Sequence, residues 1–69
     1  MIIPDVFFLS YLIGDKRWHE KLIYKNGQWY RNIKIDGMAV YSEDEPVEIF
    51  TAVACYNWGK TNNDVEIIC

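Results

Sequence analysis

Apolar and polar residues alternate in the middle of the chain between two turn signals. Asn26-Gly27 and Asp36-Gly37 favour two-residue hairpin turns of type I′, because such turns need a positive φ at both central residues. The stretch 28–35 between them predicts one strand, and the first turn places Lys25 opposite Gln28. The two turns together predict the register of three consecutive antiparallel strands.

This register separates the side chains of the three strands into two faces, because successive residues of a strand point to opposite sides. One face is predicted to be core, with Glu20 and Arg31 as a diagonal charged pair among Trp18, Leu22, Tyr24, Trp29, Ile33, Ile35, Met38 and Val40. The other face is predicted to be outer surface, with the members Arg17, His19, Lys21, Ile23, Lys25, Tyr30, Asn32, Lys34, Ala39 and Tyr41. A slip of one residue in either turn would mix the two sets.

Both ends of the chain predict further strands. The segment "DVFFLSYLI" (5–13) is apolar on both faces, which is typical of a strand covered on both sides, and it should pair with the next strand through a turn at Gly14-Asp15. The ending "DVEIIC" predicts a closing strand beside it. The first thirteen residues lack the features of a signal peptide and are shorter than the about 20 apolar residues of a membrane helix. We therefore expect no membrane segment and a cytoplasmic location.

The segment "SEDEPVEIFTAVACYNWG" admits two interpretations. A helix from about Glu45 to Asn57 would have Ser42 or Asp44 as its cap, acidic residues in its first turn and an end before Gly59. Its apolar stripe would consist of Ile49, Phe50, Val53, Ala54 and Tyr56. The β-branched residues of the segment leave a strand as the alternative. We favour the helix.

These elements predict one domain, 1–69, of the α+β class. It would be a small antiparallel sheet in the order β-β-β-β-α-β with one helix packed on one face, and the alternative is a small all-β barrel. A core of this size seldom supplies more than about 3–5 kcal/mol, so association into a homodimer would help the fold.

The reactive side chains give little support for catalysis. His19 is the only histidine, and its place on the outer face beside Lys21 and Lys34 predicts a solvated residue. Cys55 and Cys69 are too few for a zinc site or a disulfide framework, so we expect reduced thiols, with a disulfide as the alternative. The glycines are isolated and form no phosphate-binding loop. We expect no enzymatic activity, no cofactor and no metal.

Charge is distributed unevenly along the chain. Residues 16–34 contain six basic residues and one acidic residue, a net charge of +5, so the remainder carries −8 within the net charge of −3. Basic residues interleaved with Tyr30 and Tyr41 on one sheet face are compatible with a solvated surface, a protein-docking face or a site for single-stranded nucleic acid. The pI of about 4.9 is opposite to the basic footprint of most nucleic-acid-binding domains.

The order hairpin, acidic linker, helix and closing strand in a small acidic chain resembles the small inhibitor proteins that bacteriophages encode. The segments "DVFFLSYLIGDKRWHEKLIYKNG" and "DVEIIC" carry this resemblance. It implies a non-catalytic inhibitor from a phage or mobile element. Such a protein blocks a larger host protein, such as a defence component of the CRISPR type, a toxin or a polymerase, by occupying its surface. The resemblance carries over no functional residue.

Two surfaces compete as the binding site for such a partner. The first is the outer sheet face, with the candidate residues Lys21, Tyr30, Asn32, Lys34 and Tyr41. The second is the acidic segment, which could imitate a phosphate backbone, with the candidate residues Glu43, Asp44, Glu45 and Glu48. We predict docking on the sheet face with Tyr30 as an anchor. Binding of single-stranded nucleic acid by the same face is the alternative function.

Overall fold

A computed structural model of the chain describes residues 3–38 and 44–69. The elements along the chain are β1 (Val6–Ile13), β2 (Lys16–Lys25), β3 (Gln28–Ile35), β4 (Glu45–Val47), α1 (Ile49–Thr61) and β5 (Glu66–Ile68). The strands form one antiparallel sheet of five strands in the order β4-β3-β2-β1-β5. The sheet is open, and α1 packs on one of its faces. The predicted α+β class and element order are confirmed, and the barrel alternative is wrong.

The first hairpin has the predicted register. Lys25 pairs with Gln28, and the rest of β2 and β3 follows from that pair. Asn26 and Gly27 have φ values of 53° and 78°, as a type I′ turn requires. The turn at Gly14-Asp15 joins β1 to β2, and β5 pairs with β1, so both predictions for the chain ends are confirmed.

The second turn is present but is not of type I′. The backbone N–H of Met38 donates to the carbonyl oxygen of Ile35 at 3.2 Å, so the chain reverses at 36–37. Gly37 has a φ of 80° whereas Asp36 does not adopt a positive φ, which corrects the predicted turn type. The predicted partners of β3 at Ala39, Val40 and Tyr41 lie outside the described residues. The described strand that pairs with β3 on this side is β4, with Glu45 opposite Arg31.

The helix begins and ends later than predicted. Residues 45–47 pair with β3 as β4, so α1 begins at Ile49 rather than near Glu45. The acidic residues therefore precede the helix instead of forming its first turn, and the strand alternative is correct for β4 alone. α1 also continues through Gly59 to Thr61. No helix in the described ranges has the length and apolarity needed to cross a membrane.

Gly59 is buried within α1 at the point where the helix touches the sheet. A Cβ atom at this position would lie 2.6 Å from Cδ2 of Leu9 and 3.1 Å from Cδ1 of Ile67. The missing side chain therefore permits α1 to approach β1 and β5 closely, and it does not end the helix. The prediction that the helix ends before this glycine is wrong for this reason.

The apolar core lies between the sheet and α1. Its buried members among the described residues are Phe7, Leu9, Leu22, Trp29, Ala52 and Val65. Of the predicted core residues, Leu22 and Trp29 are buried and Tyr24 and Met38 are exposed. Half-buried are Trp18, Ile33 and Ile35. The small residues Ala52 and Gly59 face the sheet, with Tyr56 between them. The predicted apolar stripe of the helix is therefore wrong apart from Tyr56, and Ile49, Phe50 and Ala54 are exposed.

Candidate functional site

The face of the sheet opposite α1, here called the outer face, has large apolar side chains that no described element covers. From β1 it receives Val6, Phe8, Ser10 and Leu12, because Phe7 and Leu9 point towards α1. The apolar members of this set are all exposed. The prediction that β1 is covered on both sides is therefore wrong, since α1 covers one side only.

One cross-strand row of the outer face runs from apolar to basic residues. Phe8 of β1 pairs with Ile68 of β5 on one side and with Lys21 of β2 on the other. Lys21 in turn pairs with Asn32 of β3. Phe8 is 44% exposed and Ile68 is 57% exposed, so the apolar end of the row is open to solvent.

The next row adds polar and charged groups. Ser10 pairs with Glu66 of β5 and with His19 of β2, and His19 pairs with Lys34 of β3. The two rows together line a shallow concavity of about 440 Å³. Its apolar wall is formed by Phe8, and its basic wall is formed by β2 and β3. We refer to this feature as the sheet concavity.

Carboxylates neutralise part of the basic wall. The Asp44 carboxylate lies 3.9 Å from Nζ of Lys21 and 3.6 Å from Nζ of Lys25. Asp36 Oδ1 lies 3.0 Å from Nε2 of His19. These pairs are partly exposed, so each contributes at most about 1 kcal/mol to stability. Their main effect is on the surface, which becomes mixed in charge rather than uniformly basic.

The structure brings together three of the five predicted binding residues in the sheet concavity, namely Lys21, Asn32 and Lys34. Tyr30 lies on the same face one row away, half-buried and paired with Ile23 and Pro46. The fifth residue, Tyr41, lies outside the described residues.

The ring of Tyr30 also contacts a cation. Nζ of Lys25 lies 5.0 Å from its centroid, which is within the range of a cation–π contact. This half-buried ring therefore already has Lys25 as a partner. Phe8, by contrast, is exposed, so it is the more accessible of the two aromatic side chains.

The described members of the alternative acidic site do not form one surface patch. Asp44 contacts the lysines of the outer face, whereas Glu45 pairs with Arg31 on the side of the sheet that faces α1. Glu48 is the N-cap residue of α1 and makes no side-chain capping hydrogen bond. Glu43 lies outside the described residues.

Sequence reasoning missed Phe8 and Ile68 as candidate binding residues. The turn at 14–15 pairs Phe8 with Lys21, so alternation alone could have placed Phe8 on the outer face. The expectation that β1 is covered on both sides instead implied that Phe8 is buried. No turn specifies how the three-residue strand β5 pairs with β1, so the sequence does not place Ile68 on the outer face.

Polar side chains also meet beneath α1. The Tyr11 hydroxyl donates to Oε2 of the buried Glu20 at 2.5 Å, so Tyr11 takes the place predicted for Arg31 as the partner of Glu20. Burial, this hydrogen bond and the charge of Glu20 raise the pKa of Tyr11 above its ordinary value, and the guanidinium of Arg31 opposes part of the rise. Burial and Glu20 also raise the pKa of the Cys55 thiol.

This cluster therefore contains protonated, hydrogen-bonded groups. A cysteine with a raised pKa has little thiolate at neutral pH and is a poor nucleophile. Cys55 and Cys69 are both free thiols. Within 3–38 and 44–69, no group of three His, Cys, Asp or Glu side chains is placed to hold a metal ion.

Comparisons of the chain with protein-family models, with curated proteins and with solved structures found no match.

Proposed function

We propose that this protein binds another protein through the outer face of its sheet and acts as a stoichiometric, non-catalytic inhibitor. The observation that supports the proposal is the uncovered side of β1, where Phe8 and Ile68 lie side by side in solvent. A strand that is apolar on both faces is normally covered on both faces. A partner protein would supply the missing cover, and removal of this apolar surface from water would favour the complex.

The arrangement of side chains around Phe8 resembles the anatomy of a small protein interface. Large apolar side chains at the centre contribute most of the binding free energy, and polar side chains at the rim set orientation and association rate. Here Phe8 and Ile68 form the centre, and Lys21, Lys34 and His19 form the rim on one side. The partner should therefore present an apolar group with neighbours of both charges, because Glu66 and Asp44 lie among the basic residues of the rim.

The resemblance to bacteriophage inhibitors supports the choice of a larger host protein as the partner. An inhibitor of this kind needs one complementary surface and no active site. The chain is small enough that its outer face is a large share of its surface, so one contact can block a channel or an interface on the target.

Nucleic acid has less support as the ligand. Asp44 lies against Lys21 and Lys25, and Asp36 lies against His19, so carboxylates would approach the phosphates of a bound strand. Phe8 could stack on a base, but the apolar Ile68 beside it offers no second platform. A nucleic-acid ligand would show a steep loss of affinity with salt.

The proposal is tested by capture from a nuclease-treated bacterial lysate with three tagged baits. These are the unmodified protein, Phe8→Ala and Ile13→Ala. Ile13 is a matched control because it lies on the same strand and is 53% exposed, but it belongs to the other face of the sheet. A host protein should be retained by the unmodified bait and by Ile13→Ala and lost from Phe8→Ala, with unchanged circular dichroism for all three.

Further variants locate the contact. Tyr30→Ala should weaken capture less than Phe8→Ala, since Tyr30 is half-buried and its ring already contacts Lys25. Full capture by Phe8→Ala would contradict the proposed surface. Loss of capture only on charge reversal of Glu43, Asp44 and Glu45 would move the site to the acidic segment. Capture from a parallel untreated lysate that is absent from the nuclease-treated one would identify nucleic acid as the ligand.

A further inference from the structure

The two hairpin turns contain dipeptides that are chemically labile in proteins, Asn26-Gly27 and Asp36-Gly37. In each, the backbone nitrogen of the glycine can attack the side-chain carbonyl carbon of the preceding residue, because glycine has no Cβ atom to hinder the approach. At the first turn, Asn26 and Gly27 are both exposed, and a Cβ atom at Gly27 would meet no atom beyond its chain neighbours within 4 Å. Solvent therefore reaches the reacting groups of this turn.

We infer that Asn26 is a site of spontaneous deamidation, with solvent water as the second reactant. The nitrogen of Gly27 forms a bond to Cγ of Asn26, the bond from Cγ to Nδ2 breaks, and ammonia leaves with the amide proton of Gly27. Water then opens the resulting succinimide ring. Cleavage between the ring nitrogen and Cγ gives aspartate, whereas cleavage between the ring nitrogen and the main-chain carbonyl carbon gives isoaspartate. This reaction does not depend on the binding role of the sheet.

The other asparagines are less favourable sites, because none of them precedes a glycine. Asn32 lies within β3 and Asn57 within α1, so hydrogen-bonded elements hold their main chains. Oδ1 of Asn62 accepts a hydrogen bond from the backbone N–H of Asp64 at 2.9 Å, which restrains this side chain. Asn63 precedes Asp64, whose Cβ atom hinders the attack. The turn between β2 and β3 therefore contains the asparagine that is expected to react first.

The second turn is better protected against the same ring closure. Oδ1 of Asp36 lies 3.0 Å from Nε2 of His19, so this carboxyl group already has a partner. A carboxylate is also less reactive than an amide, because its negative charge repels the attacking nitrogen and oxygen is a poorer leaving group than ammonia. Isomerisation of Asp36 should therefore be slower than deamidation of Asn26.

The native turn controls the rate of this reaction. Asn26 has a φ of 53°, in the left-handed region that a type I′ turn requires. The succinimide ring instead requires an extended main chain at this residue, in which the nitrogen of Gly27 and the side-chain carbonyl carbon lie on the same side. The turn must therefore open locally before the ring can close, and such openings need less free energy at a hairpin end than in the core. Deamidation should be slower in the folded protein than in the unfolded chain.

The isoaspartate product disrupts the hairpin, whereas the aspartate product does not. Isoaspartate adds one carbon atom to the main chain of a two-residue turn, so Lys25 and Gln28 can no longer pair as they do in the native register. Nε2 of Gln28 also donates to the carbonyl oxygen of Val47 at 2.8 Å, so the disruption extends to β4. Aspartate keeps a normal main chain, and Asp-Gly is compatible with a type I′ turn.

Incubation of the purified full chain at mildly alkaline pH, followed by intact-mass measurement and peptide mapping, tests the proposal. The mass should rise by about 1 Da, with the change within residues 26–31 and with isoaspartate detected by an isoaspartyl methyltransferase. Asn26→Gly is the matched control, because Gly-Gly also forms a type I′ turn but has no side-chain amide. Its mass should stay constant over the same period. Incubation in urea should accelerate the reaction of the unmodified chain at least fivefold, because the turn is then open.

A constant mass of the unmodified chain, or an increase that persists in Asn26→Gly, would overturn the assignment of the site. Equal rates with and without urea would contradict the requirement for an open turn. After chromatographic separation, the isoaspartate form should unfold at a lower urea concentration than Asn26→Asp, which has the same composition with a normal main chain. Equal midpoints for these two forms would overturn the proposed disruption of the hairpin.

Discussion

Gly59 determines how closely the helix approaches the sheet. A methyl group at this position would collide with Cδ2 of the fully buried Leu9. We expect Gly59→Ala to lower the free energy of unfolding by about 1–3 kcal/mol, although alanine favours a helix over glycine by about 1 kcal/mol. Urea denaturation measures the change.

The collision with Leu9 can be tested separately from other effects. In a Leu9→Ala background the colliding methyl group is absent, so adding Gly59→Ala should destabilise the protein less than it does in the unmodified chain. A Gly59→Ala variant that is more stable than the unmodified protein would show that the helix has room to move away.

The hydrogen bond between Tyr11 and Glu20 should make the free energy of unfolding depend on pH in the alkaline range. Tyr11→Phe leaves the buried Glu20 carboxylate without this donor, so a loss of about 1–3 kcal/mol is expected at neutral pH. The pKa of Tyr11 is higher in the folded than in the unfolded chain. The stability that this residue contributes is therefore complete below the ordinary tyrosine pKa of about 10 and is lost as the pH rises above that value.

The difference in stability between the unmodified protein and Tyr11→Phe should consequently narrow above about pH 10. Denaturation in urea at a series of pH values gives this difference directly. Tyr24→Phe removes an exposed hydroxyl and serves as the control for the general effect of alkaline pH. A difference that stays constant through this range would contradict the proposed role of the hydrogen bond.

At the scale of elements, the central hairpin was predictable from sequence and the edges of the sheet were not. Asn26-Gly27 specifies a two-residue turn, and the position of this turn determines every residue pair between β2 and β3. No turn signal specifies where β4 or β5 joins the sheet, and each has only three residues. β4 also occupies part of the segment whose acidic residues predicted the first turn of the helix.

The inward side of α1 was mispredicted because small residues, rather than large ones, face the sheet. The periodicity of Ile49, Phe50 and Val53 indicates an apolar stripe, yet Ala52 and Gly59 allow the closest packing and therefore lie inside. Ile49 and Phe50 remain exposed, whereas Trp58 packs edge-on against Tyr11 at the side of the helix. A pattern of apolar positions identifies the helix but does not decide which of two apolar sides is covered.

Hydrogen exchange should follow the position of each strand in the sheet. β2 pairs along most of its length with both β1 and β3, whereas β4 and β5 are short edge strands. We expect the amides of β2 to exchange slowest and those of β4 and β5 to exchange first, because edge pairs open without disturbing the core. Equal protection of β4 and β2 would contradict this order and would require further contacts at the β4 edge.

For the molecule as a whole, the exposed apolar region with a proposed role is the outer face of the sheet around Phe8. It lies on the side of the sheet opposite α1. The fold class was predictable because it depends on local turns and periodicity. The candidate site was predicted only in its basic half, because Lys21, Asn32 and Lys34 follow from the hairpin register whereas the exposure of Phe8 depends on what covers β1.

Site-specific photo-crosslinking in bacterial cells tests the central claim most directly. A benzophenone derivative of phenylalanine replaces Phe8 in one variant and Ile13 in another, so the probe lies on the outer face in the first case and on the opposite face in the second. A covalent adduct with a larger host protein should form from position 8 and be absent from position 13. An adduct from position 13 with none from position 8 would contradict the proposal that the outer face of the sheet is the binding surface.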